Sequence, residues 1–272
     1  CYNIGTVSSL YGDGGVCGYN DDSTIENSYF LEGSAETGIG TGSGSADSKT
    51  AAEFANGTVC GLLGYHSHKI NGICILCSGD YEAARQNSDG YYEISNVGQL
   101  YWFAGLVDGT LTDGTTQNLA ANAVLTADIT VNEGVLDAGG NLASDTTGFK
   151  IWTPLCRNVY AAYKSYTGTF DGKGHIISGL YAPSDSDFCG FFAECNGTIK
   201  NLGITNSFFG GSVWGCYHTA TFAGYGYSDC VIENCFSISV INGGMYCGGI
   251  AGVTRGTIRN CYFAGKISAS TY

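Results

Sequence analysis

Four residues between positions 66 and 77 carry side chains of the kind that hold metal ions. His66 and His68 are followed by Cys74 and Cys77, with an Asn-Gly turn dipeptide between the two pairs. Imidazole nitrogens and thiolate sulfurs together bind tetrahedral zinc. The histidines are two positions apart, unlike those of zinc fingers, and a Cys74–Cys77 disulfide or two free thiols also explain these residues. Zinc is therefore one interpretation of this segment, and no other cofactor is expected.

Acid–base catalysis is a second kind of chemistry to consider. Asp171 and His175 flank a turn, where we expect Asp171 to fix the turn geometry by bonding its own backbone. Polysaccharide-cleaving β-helices need paired carboxylates or a basic residue at a groove, and the sequence repeats no such cluster on one face. It also contains no nucleophile elbow, P-loop or dinucleotide fingerprint. We predict that the chain is not an enzyme.

Aromatic side chains offer a third kind of site, one that binds sugars. Trp214, Tyr217, Tyr225 and Tyr227 lie close together in the sequence. Exposed rings of this kind can stack on glycans, but chains of this composition also bury many aromatic residues as filler. The first interpretation predicts, as the alternative function, a carbohydrate-binding or carbohydrate-cleaving β-helix protein. The second assigns these rings to a scaffold.

A short phrase recurs along the chain and ends each time on an asparagine. It reads Ile-x-Asn at residues 25–27, 199–201, 232–234 and 258–260. A unit of this size, rich in glycine and β-branched residues, indicates stacked β rungs. Identical amide side chains at rung spacing form ladders inside stacked sheets. We therefore expect such a ladder from Asn27, Asn201, Asn234 and Asn260.

A cysteine follows the asparagine position in part of the series. Cys1, Cys235 and Cys261 share this place, so they are expected to belong to the same structural ladder as a buried stack of small apolar side chains. The chain has 13 cysteines, which in a secreted protein suggests several disulfides, with one thiol lacking a partner within the chain. Both interpretations remain open, and the sequence does not give the pairing.

The elements that must position these residues divide into two consecutive units. Residues 1–77 contain the last rungs of one β-solenoid unit and its closing segment, and residues 78–272 contain a second unit. The closing segment comprises a flexible Gly/Ser-rich loop at 34–48, a helix at 50–63 and the Cys/His segment at 64–77.

The second unit begins with a strand and a helix over residues 91–107. Ser95 is predicted as the helix N-cap. Leu100, Phe103, Ala104 and Val107 recur at helical spacing, which gives the helix one apolar face. An amphipathic helix before a β stack is suited to cap the first rung, whose edge is otherwise unpaired.

Composition and charge exclude several classes of partner. The net charge is −13, from 11 Lys and Arg against 24 Asp and Glu. Nucleic acids and anionic membranes are both bound through basic residues, so neither is an expected partner. No stretch approaches the roughly 20 apolar residues that a membrane-spanning helix needs, so no membrane insertion is predicted.

The order of these motifs resembles GLUG-type repeats of bacterial surface and adhesin-like proteins. The resemblance lies in residues 168–180, in the tetrads 190–193 and 249–252, and in the repeated phrase; residues 92–107 are similar to a common lead-in segment. The tetrad at 190–193 departs from the pattern, and the sequence carries no anchoring motif or catalytic domain. The resemblance implies a right-handed parallel β-helix in secreted or wall-anchored proteins of anaerobic, often gut-dwelling, bacteria.

Together these observations predict an all-β fold: a right-handed parallel β-helix (β-solenoid) in two consecutive units with short capping helices. The predicted function is a non-catalytic, extracellular structural or adhesive segment at the bacterial cell surface. Because both ends of the sequence fall within a repeat, we expect its rungs to continue onto neighbouring repeats or subunits, head to tail into a fibre. Host or bacterial surface glycans are the other expected partners.

Overall fold

A computed structural model describes the chain in segments. These are residues 2–9, 12–51, 59, 69–70, 73–74, 82–111, 114–157, 164–183, 187–211 and 217–269; at 69–70 and 73–74 it describes the backbone only. Strands dominate the described part, and most neighbouring strands run parallel. This confirms the all-β prediction. The chain divides into two compact units, residues 1–79 and 80–272, which are considered separately.

The first unit is built from short strands, most of which pair in parallel. They are β1 (Tyr2–Asn3), β2 (Gly14–Asn20), β3 (Tyr29–Leu31), β4 (Thr37–Gly42), β5 (Asp47–Lys49), β6 (Lys69–Ile70) and β7 (Ile73–Cys74). One parallel sheet has the order β1-β3-β5, and β2 pairs with β4 in another. Strands β6 and β7 form an antiparallel pair within the predicted Cys/His segment.

The prediction of a flexible loop at residues 34–48 is wrong. Strand β4 and most of β5 lie in this segment and pair in parallel with β2 and β3. Its glycines serve close packing: a Cβ at Gly38 would collide with the Ala46 carbonyl, and one at Gly40 with the backbone of Gly12. A composition typical of linkers therefore belongs here to strands that pack backbone against backbone.

The described residues of the second unit contain one helix with defined bounds, α1 (Val97–Asp108), and twenty strands. The strands are β8 (Arg85–Gln86), β9 (Tyr92–Ile94), β10 (Ala123–Leu125), β11 (Ile129–Thr130), β12 (Thr169–Asp171), β13 (Ile176–Ser178), β14 (Tyr181–Pro183), β15 (Phe188–Cys189), β16 (Phe192–Cys195), β17 (Thr198–Lys200), β18 (Gly203–Gly210), β19 (His218–Ala220), β20 (Ala223–Gly226), β21 (Val231–Glu233), β22 (Phe236–Gly243), β23 (Tyr246–Gly248), β24 (Ala251–Thr254), β25 (Thr257–Arg259), β26 (Tyr262–Phe263) and β27 (Lys266–Ala269).

The described strands of the second unit form four sheets, and the chain visits them in a fixed order. Their strand orders are β25-β21-β17-β12-β10-β9-β8, then β11-β13-β18-β22-β26 with β14 and β27 also paired to this sheet, then β15-β19-β23, then β16-β20-β24. All pairs are parallel except β8 with β9. We call residues 169–195 rung 1, 198–226 rung 2, 231–254 rung 3 and 257–269 rung 4. Each rung pairs in parallel with the next, and a register shift between Thr205 and Ser207 interrupts the pairing of β18 with β22.

The interior between the sheets is filled by stacked aromatic rings. Trp152 and Phe191 stack with ring centroids 5.0 Å apart, and Tyr166 and Phe192 stack at 4.3 Å. Phe170 meets Phe191 edge-on at 5.1 Å. All five side chains are buried. Such pairs stabilise a fold by about 0.5–1.5 kcal/mol each beyond the area they bury.

Helix α1 packs against the first strands of this interior. Phe103 lies 5.8 Å from Phe170 and 6.2 Å from Tyr92, measured between ring centroids. The predicted apolar face is buried at Leu100, Phe103 and Val107, while Ala104 is half-buried. A helix that covers the first strands removes apolar surface that would otherwise face water.

The predicted N-cap of α1 is wrong by one residue. Asn96, not Ser95, caps the helix through its side-chain oxygen, which accepts from the Gln99 backbone N–H at 2.9 Å. Ser95 instead donates its backbone N–H to the side chain of Gln99. Gly109 ends the helix in the left-handed conformation, as glycine commonly does. In the 50–63 segment, Ala51 and Val59 have helical backbone, and the residues between them lie outside the described part.

Rung 4 differs from the other rungs in its exposure. Ile199 and Ile232 are fully buried in their strands, whereas Ile258, at the same register position of rung 4, is 41% exposed. Ile267 of β27 is likewise more exposed than its partner Ile241. The described part of rung 4 is therefore paired on one face only. Among the described residues, no helix has the length and apolar character to cross a lipid bilayer.

Candidate functional site

The predicted asparagines of the second unit form one continuous row. The Nδ2 of Asn234 donates to Oδ1 of Asn201, and the Nδ2 of Asn260 donates to Oδ1 of Asn234, both at 3.2 Å. Asp171 extends the row by one rung, because its carboxylate accepts from Asn201 Nδ2 at 2.9 Å. Asn27 lies in the first unit, so the row described here comprises the other three asparagines and Asp171.

This row lies at the corners between strands and not inside the sheets. Asn201, Asn234 and Asn260 directly follow β17, β21 and β25 and have φ of 52°, 52° and 53°. Asn27 has the same left-handed conformation, with φ of 46°. Asparagine is among the few residues other than glycine that adopt this conformation readily. The amide thus serves twice, turning the chain and bonding the neighbouring rung.

A row of charges of alternating sign runs beside the asparagines. Asp171, Lys200, Glu233 and Arg259 are successive register partners in the first sheet. Lys200 Nζ lies 3.7 Å from Asp171 Oδ2, and Arg259 forms an ion pair with Glu233. The sequence carries a signal for this row, because the residue before each of these asparagines is charged and its sign alternates. Opposite charges directly across paired strands are favourable.

The carboxylate of Asp171 joins the two rows and is itself buried. Burial alone would raise its pKa, but hydrogen bonds from Asn201 and the Lys173 backbone N–H, with the charges of Lys200 and Lys173, lower its pKa below the usual value. His175 lies elsewhere: its Nδ1 is 3.0 Å from Asp128, whose pKa the Ile176 N–H and His175 lower. Asp171 and His175 thus each bond a different partner, which supports the turn-forming role predicted for Asp171.

Aromatic residues form a second column on the strands β15, β19 and β23. Phe188 and His218 stack at 4.7 Å, and His218 and Tyr246 stack at 5.0 Å. Tyr225 meets Phe188 and His218 edge-on, and Arg255 lies 5.9 Å from its ring centroid. Partial burial lowers the pKa of His218, which favours the neutral ring in this stack.

The predicted glycan-stacking residues are only partly accessible. Tyr225 and Tyr227 pack together at 4.8 Å, and the Tyr227 hydroxyl donates to the buried carboxylate of Glu194 at 2.6 Å. Tyr217 is half-buried, and its carbonyl accepts from the Tyr246 N–H. Trp214 lies outside the described residues.

The structure does not describe the side chains of the predicted zinc ligands. His66, His68 and Cys77 lie outside the described residues, as does Cys1, and only the backbone of Cys74 is described, in strand β7. Within the described segments, no group of three or more His, Cys, Asp and Glu side chains is placed to hold a metal ion. The zinc site at residues 66–77 remains a prediction.

The thiols of Cys235 and Cys261 lie next to each other, directly after the asparagine row. They occupy the same position in rungs 3 and 4, and Leu202 occupies it in rung 2. A second pair of neighbouring thiols, Cys195 and Cys230, is deeply buried. These four cysteines are free in the structure.

A surface depression of about 420 Å³ follows the asparagine row. It is lined by Lys173, Gly174, Asn201, Leu202, Gly203, Asn234 and Phe236. The amides that line it bond to each other, so their donors already have partners within the protein. This arrangement suits packing between rungs better than the binding of a ligand.

Comparison with known proteins gives a similar solved structure but no matching family. A putative immunoglobulin A1 protease from Bacteroides ovatus, whose crystal structure was determined at 1.30 Å, is similar to it with a TM-score of 0.47 and 20% sequence identity. The similarity covers 69% of this chain and 51% of that protein, so the chain spans about half the length of its relative. No family model and no curated protein matches the sequence. Similarity at this level carries no conclusion about activity.

Proposed function

We propose that this chain is a non-catalytic structural segment of an extracellular bacterial surface protein, folded as a right-handed parallel β-helix of GLUG type. The observation that carries the proposal is the use made of its polar side chains. Asn201, Asn234 and Asn260 bond to each other, and Glu233 pairs with Arg259. These polar side chains therefore interact with side chains of an adjacent rung. A stack held in this way is a stiff rod, which suits a spacer at a cell surface.

The proposal includes continuation of the stack beyond rung 4. Three features support it: the Ile column stops at an exposed Ile258, the asparagine row stops at an exposed Asn260, and Tyr262 stacks on Phe236 with its other face open. Tyr262 is 56% exposed. A further rung, from a neighbouring repeat or subunit, would bury all three and pair the edges of β25 and β26 that no described strand covers.

Imaging of the purified chain tests this continuation. Electron microscopy under native conditions is expected to show rods or end-to-end oligomers, and light scattering should show a mass that rises with concentration. Ile258→Lys puts a charge on the exposed face of rung 4 and should return the protein to single particles. Glu93→Lys, a charge change on strand β9 far along the sheet from rung 4, is the matched control. Isolated particles of the unaltered chain at every concentration would count against continuation.

Labelling of intact cells tests the proposed location. Antibodies against the purified chain should bind unbroken cells of the producing bacterium, and added protease should remove the signal. Binding that appears only after the cells are lysed would contradict an extracellular role. This outcome is independent of whether the chain forms rods.

Carbohydrate binding is the second candidate, and the aromatic column is the observation that favours it. Tyr246 is 49% exposed, and Tyr225, which meets His218 of the same column edge-on, is half-buried. However, Phe188, His218 and Tyr246 stack on each other, so the faces a sugar would need are mostly covered. A glycan array with Tyr225→Ala and Trp214→Ala distinguishes the functions: binding lost in these variants supports the carbohydrate function, and silence of the unaltered chain supports the scaffold.

A further inference from the structure

Cys235 of rung 3 and Cys261 of rung 4 lie side by side, and contacts between the residues before and after them fix their positions. Before them, Asn260 donates to Asn234 at 3.2 Å; after them, Tyr262 is the register partner of Phe236, and the two rings stack at 5.3 Å. The Tyr262 N–H also donates to the Cys235 carbonyl at 3.1 Å. These contacts therefore keep Cys235 and Cys261 one strand spacing apart, about 4.8 Å. Disulfides form between Cα atoms about 4.4–6.8 Å apart.

The two sulfurs also point the same way. Cys235 Sγ donates to the carbonyl two residues before it, that of Glu233, at 3.2 Å; Cys261 Sγ makes the equivalent bond to Arg259, also at 3.2 Å. The two thiols are close enough for each to shift the pKa of the other. Bond formation thus needs rotation of the two side chains and a slight approach of their Cβ atoms, which in a disulfide lie about 3.5–4.5 Å apart.

We propose that Cys235 and Cys261 form a disulfide that fastens rung 4 to rung 3, made by thiol–disulfide exchange with a small-molecule disulfide. Rung 4 is where such a bond matters most, because its described residues pair on one face only and Ile258 and Ile267 are exposed. The inference does not depend on the proposed surface function. It assigns a modification site to a position that the sequence left open between a disulfide and a buried stack.

Access distinguishes this pair from the other neighbouring thiols. Cys261 is half-buried, whereas Cys195 and Cys230 are both almost completely shielded from solvent. A thiol must be reached by the oxidant to react. Cys195 and Cys230 therefore serve as an internal comparison: they are close to each other but closed to the reagent.

The pKa values of the two thiols indicate that Cys261 reacts before Cys235. Contact with the Cys235 thiol, together with the backbone of Cys235 and Arg259, lowers the pKa of the Cys261 thiol to about 6, although burial and the charge of Glu233 act in the other direction. The same contact and burial raise the pKa of Cys235. Cys261 is thus the accessible thiolate that attacks first, and Cys235 is the thiol that resolves.

The exchange balances in two steps. The Cys261 thiolate attacks one sulfur of the small disulfide, forms a mixed disulfide and expels one small thiolate, which takes up the proton that Cys261 lost. Cys235 then attacks the Cys261 sulfur, releases its proton to solvent and expels the second small thiolate, which is protonated in turn. The protein loses two electrons and the small disulfide gains them, yielding two small thiols.

Peptide mapping tests the bond directly. The full chain is reduced, then exposed to oxidised glutathione, denatured, alkylated and cleaved after basic residues and glutamate. Cleavage after Glu233, Arg255 and Arg259 places the cysteines on peptides 234–255 and 260–266. We expect these peptides to be linked, and to be linked sooner than Cys195 is to Cys230. Free alkylated thiols, a lasting glutathione adduct on Cys261, or earlier linkage of Cys195 to Cys230 would each overturn the proposal.

Matched variants and a second measurement complete the test. Cys247→Ser removes the other cysteine of peptide 234–255 and should leave the link intact, whereas Cys235→Ser and Cys261→Ser should abolish it. In the unaltered chain, amide hydrogen exchange across rung 4 should be slowed at least about tenfold by oxidation, because the bond closes a loop to rung 3. Equal exchange rates in the two redox states would refute the fastening role without any reliance on a variant.

Discussion

Ile258 lies in register with Ile232 on the neighbouring strand, yet the two identical side chains differ completely in burial. Ile232 is fully buried between rungs, whereas Ile258 is 41% exposed. The difference arises because a rung in this fold buries its interior residues against a neighbour on each side. The value of a residue to stability therefore depends on its rung as well as its type.

Truncation of these two isoleucines measures that dependence. Ile232→Ala should cost about 2–4 kcal/mol of unfolding free energy, because it removes a buried side chain and leaves a cavity. Ile258→Ala should cost less than about 1 kcal/mol, since much of its side chain already meets water. Urea denaturation of both variants gives the comparison. Equal losses would show that rung 4 is covered in solution.

The asparagine row permits a separation of its two roles at Asn234. Asn234→Gly keeps the left-handed corner but removes the amide, and should cost about 1 kcal/mol for the lost hydrogen bonds. Asn234→Ala loses the amide and also places a Cβ at φ of 52°, which should add about 1 kcal/mol of strain. Thermal unfolding of both variants checks the order. If alanine were tolerated as well as glycine, the conformational role would be refuted.

Asp171 should make stability depend on acid pH. Its folded-state pKa is depressed below the usual 3.8, so its charge stabilises the fold above that value, and this contribution is lost as the pH falls through the folded-state pKa. Asp171→Asn preserves the acceptor oxygen for Asn201 and the Lys173 N–H but removes the charge. The unaltered chain should be more stable than the variant near about pH 7, and the difference should shrink as the pH falls below 3.8 and through the lowered pKa of Asp171. A pH-independent difference would contradict the role of the charge.

Two glycines at corners test steric fit against backbone conformation. Gly179 and Gly174 have φ of 77° and 86°, but a Cβ at Gly179 would overlap the Asn132 carbonyl, whereas one at Gly174 meets nothing within 4 Å. Gly174→Ala should therefore cost about 1 kcal/mol for conformation alone. Gly179→Ala should cost several times more, because a backbone carbonyl cannot move aside cheaply. Similar melting temperatures for the two variants would argue against the close packing of this corner.

The repeated phrase was the part of the fold that sequence predicted best. Ile199, Ile232 and Ile258 are in register, and the asparagine after each bonds its neighbour, because a strict repeat places like residues at like positions. The corner location of that row was not predicted, since amide ladders and left-handed turns use the same residue. The charges of Lys200, Glu233 and Arg259, whose signs alternate, stand within the same phrase of the sequence.

The segments without repeats were the part that sequence could not predict. Trp152 and Tyr166 fill the interior next to rung 1, although no recurring motif marks them. Their places are set by tertiary contacts, which periodicity does not report. The same reason explains the misassigned loop at 34–48, where glycine signals close packing and linker flexibility alike.

Successive steps of the asparagine row span 33 and then 26 residues, while the register of β17, β21 and β25 is unbroken. Most of the extra length falls between Gly210 and His218, whereas in the next rung only Gly244 and Met245 lie between Gly243 and Tyr246. The geometry of the sheets is thus insulated from the length of that connection. For protein engineering, this connection is a position where a foreign epitope can be inserted without a change in the register of the strands.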